Sequence, residues 1–94
     1  MAEMIVSGDY ISIIELSEML CVPQTIIIEW IEHDVVSAKI QADSYYVAAY
    51  DIARAKSAMR LMRDLDVNSS AISIILSLRE KIKSLEAILP ANLH

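Results

Sequence analysis

Apolar residues recur at helical spacing along most of this 94-residue chain, and one β-type stretch interrupts them. From 24 to 33, at about 100° per residue, Ile26, Ile27, Trp30 and Ile31 share one face, while Thr25, Ile28, Glu29 and Glu32 share the other. From 52 to 66, Ile52, Ala55, Met59 and Met62 form a stripe widened by Ala58, Leu61 and Leu65, with the methionines as core fillers. From 68 to 89, Ile75, Leu78, Ile82, Leu85 and Leu89 follow 3, 4, 3, 4 spacing, the seam of a coiled coil about two heptads long. Residues 35 to 50 break the rhythm. Val35-Val36 and Ser44 to Tyr50 flank the polar Gln41-Ala42-Asp43, which reads as a small hairpin. The expected chain is mainly α with one small β element.

Local signals set the boundaries. Met4 to Ser7 reads as a short strand and Gly8-Asp9 as a turn. Ser12 and Glu15 fit a capping box that starts a first helix over 13 to 20. Pro23 suits the first position of a second helix running to about His33, because its missing N–H would be unpaired there. Asp51 is placed to cap the third helix and Asn68 the fourth, which Pro90 stops.

Composition narrows the class. The chain is 55% hydrophobic with one glycine, two prolines and no phenylalanine, which is helix-rich globular usage. Its apolar runs, such as Ile26 to Ile28, fall far short of the roughly 18 residues of a membrane span. Met1-Ala2-Glu3 has no basic region and no signal-type apolar segment follows it, so the expected address is cytoplasmic. Cys21 is alone and is read as a small buried hydrophobe, and His33 as a surface or capping group, so no metal or other cofactor is expected.

The distribution of charge says more than the net of -5. Residues 1 to 51 hold nine acids against one base, Lys39, and carry -8; residues 52 to 94 hold four acids against seven bases and carry +3. An acidic first half repels phosphate and favours a basic partner, or else is a solvated surface without one. Ile28 stands among Thr25, Glu29 and Glu32, with Glu15, Glu18 and Asp34 nearby in sequence, as an apolar anchor ringed by acids would. The terminal seam is either an intramolecular packing face or the interface of a homodimer, and its place beyond the compact part points to the homodimer. No nucleophile with a base, no glycine-rich phosphate loop and no metal set points to an enzyme.

Helix, tight turn, helix, hairpin, helix, helix in this order resembles the MerR-type winged helix-turn-helix. The resemblance is carried by Ile13 to Val22, Thr25 to Val36, Asp51-Ile52-Ala53-Arg54 and Val67 to Ile72. It implies one domain over 1–94, with a winged core at 8–50, a support helix at 51–66 and a dimerisation helix at 68–89. DNA-binding members carry cations on the second helix and the wing, whereas this chain has Ile28-Glu29-Trp30 and Lys39 alone. Cys21 also replaces the glycine usual in the turn.

Within that superfamily the chain is similar to the CbpM-like chaperone modulators. The likeness lies in the acidic first half, the Val35-Val36 pair, the aromatic wing ending in Asp51 and the Leu-rich last helix. It implies a non-enzymatic protein that binds the J-domain of a DnaJ/CbpA-like co-chaperone and inhibits it, without nucleic acid or membrane as partner. J-domains present a basic helix, which an acidic surface suits. The implied contact residues are Glu15, Glu18, Thr25, Ile28, Glu29, Glu32 and Asp34. The rival expectation is a DNA-binding regulator using Arg54, Lys56, Arg60 and Arg63, although these bases are more readily partners for acids such as Asp64.

Overall fold

The computed structural model describes residues 9–89. The strand expected at Met4 to Ser7 lies outside them. Instead, a short strand β1 (Tyr10–Ser12) leads directly into α1 (Ile13–Leu20). Next come α2 (Gln24–Glu32), the hairpin β2 (Ala38–Gln41) and β3 (Ser44–Ala48), a 3-10 turn at Ala49–Asp51, α3 (Ile52–Leu65) and α4 (Ser69–Ile88). The sheet is antiparallel in the order β1-β3-β2, with Ile11 opposite Val47 and Val47 opposite Ala38. This single row puts Ile11, Val47 and Ala38 on the face that joins the core, as strand alternation requires.

Helix starts follow the expected residues with altered bonding. Ser12 caps α1 by accepting the Glu15 amide at 3.1 Å, and its hydroxyl donates to Glu15 Oε1 at 3.3 Å in place of the usual backbone return bond. Pro23 is the N-cap of α2 and stands just outside the helix. Asn68 Oδ1 caps α4 by accepting from the Ala71 amide at 2.9 Å. Asp51 occupies the N-cap position of α3 but makes no capping bond. Its buried carboxylate accepts the Ser37 amide at 2.7 Å and ties the base of the hairpin to α3.

Helix ends depend on left-handed residues that are not glycine. Cys21 (φ 57°) closes α1, with the Val22 amide donating to Ser17 O at 3.2 Å. Asp34 (φ 59°) closes α2 in a Schellman arrangement, the Val35 amide reaching Trp30 O at 2.7 Å and its own amide reaching Ile31 O at 3.2 Å. Asp66 (φ 53°) closes α3 through Met62 O. Cys21 is exposed, which corrects the expectation of a buried thiol: the left-handed turn directs its side chain outward, while Val22 beside it is buried. Val35 and Val36 are buried but belong to the link before β2, because the Asp34 turn uses the Val35 amide to close α2 and strand pairing begins only at Ala38.

The core joins Ile13, Leu16 and Leu20 of α1, Ile27 and Trp30 of α2, Val35, Val36, Val47, Ala55, Ala58, Ile72 and Leu76. Trp30 is fully buried, and its indole N–H has no hydrogen-bond partner among the described residues. Leu65, expected on the α3 stripe, is 60% exposed at the helix end.

Candidate functional site

With Ile13, Leu16 and Leu20 turned inward, α1 leaves Ile14, Glu15, Glu18 and Met19 outside. Ile14 and Met19 are about half exposed and sit four residues from Glu18 and Glu15 respectively, so apolar and acidic groups are neighbours on one helical surface. Sequence reasoning passed over these two. The signal was present in the inward spacing of α1, which leaves 14, 15, 18 and 19 on the outer side.

On α2, Thr25, Glu29 and Glu32 are exposed, and α1 packs against α2. Ile28 differs from expectation. It is half-buried and packs against the core, because at its position on α2 the side chain lies between the outer face and the Ile27–Trp30 face. The exposed apolar groups of this layer are Ile14 and Met19. Glu29 is also partly committed: its Oε1 accepts the hydroxyl of the buried Ser69 at 3.1 Å, in the first turn of α4. A carboxylate there suits the unpaired amides of a helix start. Asp34 is exposed, and its carbonyl accepts from Arg54 Nη1 at 2.9 Å.

The bases of the rival reading are arranged differently. Arg54 donates to Asp34 O and to Val35 O through Nη1, and its Nε meets Glu80 Oε2 at 2.6 Å. It therefore binds the end of α2 and the middle of α4 to α3, and its fork is already filled. On the wing, the Lys39 ammonium lies 4.1 Å from the centroid of the Tyr10 ring, a cation–π contact within the sheet. Arg63 makes a surface pair with Asp64 at 3.4 Å.

The seam of α4 lies mostly in the open. Ile75 is half-buried, while Leu78 and Ile82 are 54% exposed and Leu85 and Leu89 are also exposed, with Ile74 and Ile88 exposed alongside. Only the first two turns of α4 enter the domain core, through Ile72 and Leu76. No helix among the described residues is long and apolar enough to cross a membrane.

Two helices joined by a tight turn, a hairpin on a three-stranded sheet and a supporting helix define a winged helix-turn-helix. Residues 11–90 match the family model of the MerR HTH family regulatory protein, and the chain belongs to that family. No curated protein and no solved structure matches the chain at a significant level.

Proposed function

We propose that this MerR-family chain is a non-enzymatic chaperone modulator of the CbpM kind. In this reading it binds the J-domain of a DnaJ/CbpA-like co-chaperone in the cytoplasm and inhibits it. The observation that carries the reading is the outer surface of α1 and α2, where Glu15, Glu18, Thr25, Glu29 and Glu32 are exposed and neither helix contains a lysine or arginine. Phosphate would be repelled there, and a basic helix would be steered in. Ile14 and Met19 supply apolar contact beside the acids, with Ile28 contributing from its half-buried position.

The test is titration with a J-domain. Because Glu29 also holds Ser69, the clean variant is Glu18→Lys with Glu32→Lys. Its association should slow by about tenfold or more at low salt and lose its salt dependence. Unchanged association would remove this surface from the interface.

The alternative is a DNA-binding regulator, favoured by the family match itself. It predicts a sequence-specific footprint at physiological salt, where the modulator reading predicts only weak nonspecific association with dissociation constants of about 10⁻⁴ to 10⁻⁶ M.

A further inference from the structure

On the side of the domain formed by α3 and α4, two hollows of about 310 and 280 Å³ adjoin and share Ser57 and Arg79. Together they make an open groove between the helices. Tyr50, 79% exposed, stands at one end, and Leu65, 60% exposed, at the other. Between them the walls bring Arg60, Arg79 and Lys83 to the groove, and none of the three forms an ion pair among the described residues. The acids that border it are all engaged: Glu80 by Arg54, Asp64 by Arg63, and the buried Asp51 by the Ser37 amide. The small side chain of Ser57 keeps the centre open.

A chain of net charge -5 thus gathers, along one groove with an apolar group at each end, three cations that make no ion pair among the described residues. We propose that this groove docks an acidic peptide segment of a protein partner, with carboxylates beside Arg60, Arg79 and Lys83 and apolar side chains against Tyr50 and Leu65. From 53 to 65 the groove follows α3 for about 18 Å. That length takes roughly five or six residues of extended peptide. A duplex presents its sugar-phosphate backbone to a surface groove and has no aliphatic side chains to lay against both Tyr50 and Leu65, as a peptide has. The site lies on different helices from the acidic surface of α1 and α2 and does not rest on its role.

The experiment is an NMR titration of the full-length chain, at near-physiological salt, with a synthetic peptide of glutamates between two leucines. Saturable shifts are expected at the amides around Ser57, Arg60, Arg79 and Lys83. Arg79→Glu should weaken binding about tenfold or more, since like charges then face each other across the interface. Ser57→Trp, which fills the groove without changing charge, should weaken it comparably. Lys56→Glu makes the same charge change outside the groove and should leave affinity within about twofold, as expected of a screened rim charge. Absence of saturable shifts overturns the proposal. So does equal weakening by Lys56→Glu and Arg79→Glu, which would reduce the effect to net charge. A short duplex that saturates the same amides at lower concentration would assign the groove to nucleic acid instead.

Discussion

At the scale of single residues, the described chain places five non-glycine residues in the left-handed region: Cys21, Asp34, Ala42, Asp43 and Asp66. Three end helices, and Ala42-Asp43 form the two-residue turn of the hairpin, where both central residues require positive φ. A left-handed L-residue costs about 1–2 kcal/mol, with aspartate tolerating it best because its side chain bonds locally. Cys21→Gly removes that cost but adds freedom to the unfolded chain. It should stabilise the domain by about 1 kcal/mol, read as a higher urea midpoint at unchanged slope. A lower midpoint would show that the thiol contributes more than the backbone loses. Ile28 calls for a different measurement. Because it packs partly against the core, Ile28→Ala should cost about 1–2 kcal/mol of stability, less than full burial would, and under the proposed function it should also weaken J-domain binding. Thermal unfolding and titration of the same variant separate the two effects; an unshifted melting temperature would place Ile28 wholly in the interface. At Glu29, Gln keeps an acceptor for Ser69, whereas Lys sets a cation at the start of α4. Glu29→Lys should therefore cost about 0.5–1 kcal/mol more than Glu29→Gln in the same unfolding assay.

At the scale of elements, Arg54 is the side chain that fixes how α2, α3 and α4 meet. Its loss leaves two backbone carbonyls without their donor, while loss of Glu80 removes one exposed partner. Arg54→Met should cost about 1–3 kcal/mol. Glu80→Gln should cost less than about 1 kcal/mol, as surface pairs do. Equal effects in denaturant titrations would mean that the ion pair, and not the carbonyl contacts, carries the joint. None of this joint could be read from the sequence, because Arg54 and Glu80 lie 26 positions apart and no local rule pairs them. The helices were legible for the opposite reason. Ser12 and Asn68 act on amides three residues away, and the inward spacing of Ile13, Leu16 and Leu20 is local as well. Asp51 shows where local reading fails: its position suited a cap, but tertiary contact gave its carboxylate the Ser37 amide. Strand β1 escaped because three residues, Tyr-Ile-Ser, show no period until β3 pairs with them. For the candidate site, the acids were legible as charge, whereas the burial of Ile28 and the exposure of Ile14 and Met19 depend on how α1 and α2 pack.

At the scale of the whole molecule, the radius of gyration of 15.3 Å exceeds the roughly 12 Å of a compact domain this size. The excess matches a last helix whose outer half, from Ser77 to Ile88, is exposed throughout. If that half pairs with a second copy, Ile82→Asp with Leu85→Asp places charges in an apolar seam and should give monomers by sedimentation. A wild-type chain already monomeric at tens of micromolar would rule out the seam as an interface at such concentrations. The apolar core supports α4 only as far as Leu76, with the Arg54–Glu80 pair one turn beyond, and the stretch of about a dozen residues that follows Leu76 is marginal as an isolated helix in water. The two halves of this one helix should therefore report on different equilibria. Amide deuteration in the first half should track global unfolding, and in the second half the occupancy of the seam. If the seam pairs, dilution should raise the second-half rate toward that of a free helix end, whereas a seam that never pairs would leave it independent of concentration, so exchange at one helix end would serve as a gauge of assembly.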